Sequence, residues 1–309
     1  MLKKPEIRKA YLLNKHVIIT PNRSSRPRDV REKTVVEKNT ANCPFCEHNI
    51  DKRYITDKID GPTRGKWSML SLKNKYPAVT PKNKKARGFQ EVIVETPYHG
   101  KDLADLSKKQ TERLLYMYKK RTEEISGNKK INYILCFKNE GSKAGASIAH
   151  AHSQVFATEM IPPDPLEELK LIQQYKAKHG ICPYCDIPPK EVKSKRGIYQ
   201  DDHIICFAPY ASEYHYEAWI FPRRHVDNIT LLTKTELSSL THCLKIILNK
   251  MQELNLSFNL FLHNVISDKD QHFYIKIQPR DSVWAGVELG SGLVINSVPP
   301  EEAAKFYRE

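Results

Sequence analysis

Two histidines and a glutamine alternate in the stretch GASIAHAHSQ, residues 145–154. On a β-strand every second side chain points to the same face, so His150, His152 and Gln154 would share one surface, about 7 Å from one to the next. An exposed polar strand face would produce the same pattern. Whether these groups do chemistry depends on the other residues that the fold brings to that surface.

Two short cysteine pairs, CPFC at 43–46 and CPYC at 182–185, are a second feature with chemical potential. Seven cysteines in a chain of 309 residues argue against a disulfide framework. One C-x-x-C pair is compatible with a redox site, but two copies with similar interiors indicate metal binding. The remaining cysteines lie in apolar patterns and are expected to be buried thiols: Cys136, Cys206 and Cys243.

The segments after the two cysteine pairs repeat one another. Residues 92–108 (VIVETPYHGKDLADLSK) align with residues 219–234 (WIFPRRHVDNITLLTK), and in each an apolar run leads through a proline to a histidine. Ser107 and Thr233 then stand ahead of stretches with helical apolar spacing, so each is predicted to cap a helix. A second predicted strand follows in each copy. These strands end at matching asparagines, Asn139 and Asn264. The common order indicates an internal duplication.

The duplication predicts two metal sites with four protein ligands each. Two thiolates and two imidazoles suit tetrahedral Zn²⁺, and four protein ligands leave no open position, which is typical of a structural site. The predicted sets are Cys43, Cys46, His99 and His150 in the first copy, and Cys182, Cys185, His225 and His272 in the second.

The two copies differ two residues beyond the last metal-type histidine. His152 occupies this position in the first copy and Tyr274 in the second, so His150 is interpreted as a ligand and His152 as the reactive residue. A neutral imidazole beside a rigid metal site can act as a nucleophile or a general base. The preceding Gly- and Ser-rich segment can offer backbone N–H groups to phosphate oxygens, and Gln154 can donate an amide N–H to the same phosphate. These groups suit nucleophilic attack on phosphorus.

The same residues carry a resemblance. The chain resembles the galactose-1-phosphate uridylyltransferase branch of the histidine-triad superfamily, and is similar also to ADP-glucose phosphorylases, through the motif His-x-His-x-Gln at 150–154. Further matching stretches are NRSSRPRD, CPFC, NKYPAV, FKNEGSKAGAS, CPYC and AGVELGSGLVINSVPPEEAA. The resemblance implies an α+β protein of two tandem histidine-triad-like repeats, each an antiparallel β-sheet with flanking helices. Its halves would be residues 1–165, which hold the catalytic site, and 166–309, and the protein would form a homodimer.

The resemblance also implies a ping-pong nucleotidyl transfer. His152 would attack a nucleoside diphosphate sugar to form a covalent nucleotidyl-histidine. A sugar 1-phosphate would then attack this intermediate. In the related phosphorylases, which act on ADP-sugars or dinucleoside polyphosphates, inorganic phosphate would attack it instead. Hydrolases of the superfamily have a third histidine where Gln154 stands, so Gln154 favours transfer between phosphates. The implied substrate-binding residues are Arg23, Arg26, Asn74, Asn139, Gly145, Ser147, Glu288 and Asn296.

The amino-acid composition and net charge bear on other possible classes of protein. A hydrophobic fraction of 40% with 28% charged residues fits a globular protein, and no apolar run approaches the roughly 20 residues that span a bilayer. With no leader-like start, the sequence predicts a cytoplasmic protein without a membrane partner. The formal net charge of +14 is compatible with a zinc-stabilised nucleic-acid-binding protein, but that hypothesis leaves the unpaired His152 unexplained. A regulatory, inactive duplicate is a third alternative, against which the intact motif argues.

Overall fold

The computed structural model describes residues 4–21, 40–266 and 268–309. The strands in these ranges are β1 Glu6–Lys9, β2 His16–Ile19, β3 Ile55–Asp60, β4 Trp67–Lys73, β5 Gly88–Val94, β6 Tyr133–Glu140, β7 His152–Thr158, β8 Gly197–Gln200, β9 Ile204–Phe207, β10 Ala218–Pro222, β11 Phe258–Val265, β12 Ile275–Pro279 and β13 Val294–Asn296. The helices are α1 Lys108–Ser126, α2 Pro163–His179, α3 Pro183–Glu191, α4 Lys234–Glu253, α5 Gly286–Ser291 and α6 Pro300–Arg308. Among these helices, none has the length and apolar character needed to cross a bilayer.

Ten strands form one antiparallel sheet in which the predicted duplication is visible. From the outer edge inward, the first half runs β3-β4-β5-β7-β6 and the second half runs β8-β9-β10-β12-β11. The two inner edges, β6 and β11, pair antiparallel, with Phe137 opposite Phe261. The α+β class and the two repeats with antiparallel strands are therefore confirmed. The two sheets predicted for the separate halves are joined into one.

One face of the sheet is covered by the two long helices. Ser107 caps α1 by accepting a hydrogen bond from the Gln110 amide, and Thr233 caps α4 through a capping box with Glu236. Both predicted caps are confirmed. Leu114 of α1 and Leu240 of α4 belong to the same buried cluster, so one core extends under both halves.

The opposite face differs between the halves. In the second half it is covered by α2, α3 and the amino-terminal segment, whose Tyr11 makes edge contacts with Phe207 and Trp219. The strand β2 also pairs with β13 in a separate three-stranded sheet. The amino-terminal strands thus pack on the second half, although the sequence places them in the first.

The asparagines matched in the sequence comparison lie on opposite faces, so that detail of the repeat alignment is wrong. Asn139 is paired with Asn259 across the β6–β11 junction, whereas Asn264 is paired with Ile134 and is completely buried on the helix side. Positions an odd number of residues apart on β11 point in opposite directions. A one-residue slip in the alignment is sufficient to exchange the faces.

Candidate active site and metal centres

The first predicted ligand set converges beside the start of β7. Ligand atoms of Cys43, Cys46, His99 and His150 lie within 4.8 Å of one another. The Cys43 Sγ–His150 Nδ1 and Cys46 Sγ–His99 Nδ1 distances are both 3.6 Å. The other ring nitrogen of His150, Nε2, donates to the Thr96 carbonyl at 2.7 Å, and this leaves the Nδ1 lone pair directed at the thiols.

The second set converges in the same way. Cys182, Cys185, His225 and His272 also have ligand atoms within 4.8 Å of one another. Cys185 Sγ lies 3.5 Å from His225 Nδ1 and 3.6 Å from His272 Nδ1. His272 Nε2 donates to the Pro222 carbonyl at 3.2 Å, which parallels the His150–Thr96 bond of the first half.

Both donor sets fit a tetrahedral metal ion. With bonds of about 2.0–2.3 Å, the edges of a tetrahedron of nitrogen and sulfur ligands are about 3.6 Å long, close to the sulfur–nitrogen distances of both sites. Burial raises the pKa of the Cys46 thiol to about 11, a penalty that a bound cation would offset by favouring the thiolate. Each of the two sets can therefore hold one metal ion, and two thiolates with two imidazoles is a donor set that suits zinc.

His152 begins β7 immediately beyond the first metal set. Its Nδ1 lies 2.9 Å from the His150 carbonyl oxygen, so Nδ1–H donates and the Nε2 lone pair faces outward. Nε2 makes no hydrogen bond within the described residues. Burial, with a smaller contribution from the charge of Lys138, lowers the pKa of His152 to about 4, so that the imidazole is neutral at pH 7.

A buried charge cluster supports the strand beneath His152. The ammonium of Lys138 is 3.0 Å from Glu95 and 2.9 Å from Glu140, and it also donates to the His152 carbonyl at 3.1 Å. Lys138 and Glu95 are almost completely buried, so each depends on its partner. No motif in the sequence pointed to this cluster, because Glu95 lies 43 residues before Lys138 in the chain.

Phe45, between the two cysteines of the first pair, contacts the His152 ring with centroids 5.0 Å apart. In the second half, Tyr184 contacts the Tyr274 ring at 5.1 Å in the equivalent arrangement. The aromatic residue of each CP-aromatic-C motif therefore packs on the position that distinguishes the two halves. The sequence showed the recurring aromatic residue but did not indicate what it contacts.

The segment between β6 and His150 forms the predicted glycine-rich loop. Gly141 and Gly145 adopt positive φ angles of 79° and 86°, on either side of a short 3₁₀ turn. The Gly145 amide donates to the Ser142 carbonyl, so it is not available to a phosphate. Ser147 is exposed beyond the turn, and its amide makes no hydrogen bond within the described residues. The loop can offer an N–H at Ser147 rather than at Gly145.

Gln154 and Asn139 lie on the same face as His152. Phe137 pairs with Gln154, and continuing this register places Asn139 beside His152. The amide oxygen of each side chain already accepts a hydrogen bond, from Gln90 in one case and from Asn259 in the other. Neither partner was predicted from the sequence, because an isolated amide residue carries no recognisable motif.

The remaining predicted substrate residues have different outcomes. Asn74 forms a turn by accepting from the Tyr76 amide, and its backbone is bonded to Gln90. Arg23 and Arg26 lie outside the described residues. Glu288 accepts from the Ala285 amide at the start of α5.

Asn296 is completely buried, and its side chain is occupied by backbone groups. It donates to the carbonyls of Ser212 and Tyr214 and accepts from the Val298 amide. This side chain has no surface for a sugar, so its observed role is to hold the loop before α6. Its predicted role in substrate binding is corrected accordingly.

In the second half, the position equivalent to His152 has different surroundings. Tyr274 stacks on Phe221 with ring centroids 4.8 Å apart, and its hydroxyl donates to Glu168. Lys276, at the position of Gln154, lies over the Trp219 and Tyr274 rings. Aromatic side chains and Lys276 thus line the surface that in the first half surrounds His152.

The two-half sheet and the site around His152 define the class of nucleotidyltransferases and phosphorylases with histidine-triad-like halves. The family described as "Galactose-1-phosphate uridyl transferase, N-terminal domain" matches residues 2–162. The chain therefore belongs to the galactose-1-phosphate uridyl transferase family. Membership selects an enzyme over the nucleic-acid-binding alternative.

Individual relatives span nearly the whole chain. ADP-glucose phosphorylase of Arabidopsis thaliana is 32% identical over 99% of this chain and 93% of its own. Galactose-1-phosphate uridylyltransferase of Thermotoga maritima is 28% identical over 98% of both chains. Among solved structures, the Arabidopsis ADP-glucose phosphorylase with bound ADP-glucose gives a TM-score of 0.86 with 30% identity and 99% coverage of both chains. A uridylyltransferase gives 0.75 with 27% identity, covering 98% of this chain and 97% of its own.

Proposed function

We propose that the protein transfers a nucleoside monophosphate from a nucleoside diphosphate sugar to a phosphate acceptor through a covalent intermediate on His152. The observation that carries the proposal is the hydrogen bond from His152 Nδ1 to the His150 carbonyl, which directs the Nε2 lone pair outward. His152 Nε2 forms a bond to the α-phosphorus while the bond to the sugar 1-phosphate breaks. The second substrate then attacks the same phosphorus, and the imidazole leaves.

We propose that the donor is an ADP-sugar and that the acceptor is inorganic phosphate. The support is the higher identity and TM-score for the Arabidopsis ADP-glucose phosphorylase than for the uridylyltransferases compared above. A second candidate is transfer of a uridylyl group from a UDP-sugar to a hexose 1-phosphate, favoured by the description of the matching family.

Each half is proposed to hold one structural Zn²⁺ through its two cysteines and two histidines. The ion would supply a fixed anchor for His150 and so for the carbonyl that orients His152. No open coordination position remains for substrate when four protein ligands bind, so the chemistry is assigned to His152 and the amides around it.

The test uses ADP-glucose and UDP-glucose labelled at the α-phosphorus. Wild type should acquire label that His152→Ala does not, and equal labelling of the two proteins would exclude His152 as the nucleophile. Adding inorganic phosphate should then release labelled ADP. Release that requires galactose 1-phosphate and yields UDP-galactose would select the second candidate.

A further inference from the structure

Two side-chain amides flank His152, and each can present either its oxygen or its NH₂ group to a ligand. When the side-chain amide of Gln154 or Asn139 rotates by half a turn, its shape hardly changes, but its oxygen and its NH₂ group exchange places. A phosphate oxygen accepts hydrogen bonds, so only the NH₂ orientation stabilises it. The rotation of these two amides therefore matters for any reaction at phosphorus.

The orientation of Gln154 is determined by a chain of hydrogen bonds that starts at the backbone. The Ala78 amide donates to Gln90 Oε1 at 2.8 Å. Because a backbone N–H can only donate, Gln90 must direct its Nε2 the other way, and this group donates to Gln154 Oε1 at 3.0 Å. Gln154 Nε2 is left facing the site and has no partner within the described residues.

The orientation of Asn139 is determined independently from the second half. Asn259 Nδ2 donates to the Ala144 carbonyl at 2.9 Å and to Asn139 Oδ1 at 2.8 Å. A carbonyl can only accept, so the Asn259 group between them is its NH₂. The NH₂ of Asn139 is consequently left without a partner in the described part of the chain. Both amides thus have their oxygen occupied and a donor exposed.

We propose that Gln90 and Asn259 are positioning residues that fix the polarity of Gln154 and Asn139, so that both present N–H donors to phosphate oxygens during nucleotidyl transfer. The proposal rests on the transfer through His152 proposed above. It gives the second half a direct part in the active site, because Asn259 lies on β11.

The test compares removing a partner with reversing its polarity. In Gln90→Ala, Gln154 loses its support but can still rotate to donate, and we expect single-turnover labelling of His152 to slow by about tenfold. In Gln90→Glu, the carboxylate can only accept. Gln154 must then rotate and present its oxygen to the substrate, and we expect a loss of about 10²–10³-fold, as for the loss of one oriented donor. Asn259→Ala and Asn259→Asp should show the same order.

A double-mutant cycle separates polarity from simple charge repulsion. In a Gln154→Ala background, Gln90→Glu should slow labelling by no more than about twofold beyond Gln90→Ala. Gln173→Glu, on the exposed surface of α2, controls for added charge, and thermal unfolding midpoints check that each variant folds. A Gln90→Ala protein as slow as Gln90→Glu, or a glutamate effect that persists without Gln154, would overturn the proposal.

Failure of the proposed function gives a different result. If wild type acquires no label from either nucleotide sugar, the transfer proposal fails, and the amide proposal is then judged by calorimetric affinity for AMP and UMP. The order wild type, Gln90→Ala, Gln90→Glu in falling affinity would support it. Equal affinities, or no binding of either nucleotide to wild type, would overturn it.

Discussion

His152 Nδ1 donates a hydrogen bond to the carbonyl oxygen of His150, two residues earlier on the same chain, at 2.9 Å. His150 itself belongs to the first cysteine–histidine set, and its Nε2 donates to the Thr96 carbonyl. The ring that we propose as the nucleophile is therefore oriented by the backbone of a residue in the first cysteine–histidine set. A metal ion bound by that set would be coupled to the chemistry without contacting the substrate.

This coupling predicts unequal effects of removing the two metals. Cys43→Ser should reduce the metal content from about two zinc ions per chain to about one. It should also lower His152 labelling at least 100-fold, because the His150 carbonyl that fixes the tautomer of His152 would move. Cys182→Ser should also lose about one ion but keep labelling within about tenfold of wild type. Elemental analysis and labelling at 15 °C, where both variants stay folded longest, provide the measurement. Equal loss of labelling in both variants would contradict the coupling.

Restoring the histidine in the second half should not create a second active site. Tyr274→His loses the stacking on Phe221 and the hydrogen bond to Glu168, and we expect it to cost about 2–4 kcal/mol of unfolding free energy. In a His152→Ala background it should acquire no label, because α2, α3 and Tyr11 cover that face. Urea unfolding and the labelling assay test the two parts, and labelling of the double variant would show that the covered face admits a nucleotide.

The two positive-φ glycines of the loop should respond differently to alanine. A Cβ at Gly141 would lie 2.2 Å from Ser257 Oγ, whereas a Cβ at Gly145 would meet no heavy atom within 4 Å. Gly145→Ala should therefore cost only the left-handed strain of about 1 kcal/mol, while Gly141→Ala should cost about 2–3 kcal/mol and impair labelling. Unfolding free energies provide the comparison. Adding Ser257→Gly should recover the steric part of the Gly141→Ala loss, and no recovery would argue against this contact.

A carboxyl pair beside Lys138 predicts a pH-dependent stability. Asp102 is exposed at the surface as a residue, but partial desolvation of its carboxyl group and the neighbouring Glu140 raise its pKa to about 7, above its ordinary value. The folded state then holds a proton that the unfolded state has lost, so stability falls as the pH rises from about 4 to 7 and is level above that. Asp102→Asn should remove this loss. The difference in unfolding free energy between the variant and wild type should therefore be about 1 kcal/mol more favourable to the variant at pH 8 than at pH 5, and it is small because Asp102 is exposed. Urea unfolding at both pH values tests this, and an equal difference at both would contradict it.

Much of this site could be predicted because its residues lie in short motifs repeated in the chain. Comparing one copy with the other predicts three features of the structure. These are the two sets of two cysteines and two histidines, the helix caps at Ser107 and Thr233, and the presence of His152 in one copy only. Gln90 and Asn259 could not be found in this way, because their role arises from contacts between strands distant in sequence.

Two errors have specific physical causes. The alignment of Asn139 with Asn264 failed because side chains on a strand alternate between the two faces at every residue, so a shift of one residue changes the face. Asn296 was assigned to substrate binding through the family resemblance, which does not report burial, whereas the structure shows its side chain buried and bonded to backbone groups.

The pairing of β6 with β11 has an evolutionary consequence. In a symmetric dimer of identical chains, every substitution appears twice, so a residue gained on one side of the interface is imposed on the other. Covalent duplication removes that constraint. The two copies can therefore differ, as they do here: the second has Tyr274 where the first has His152, and it still contributes Asn259 to the first across the shared edge. A second copy without the histidine can therefore serve as an architectural component while the site around His152 is kept in the first.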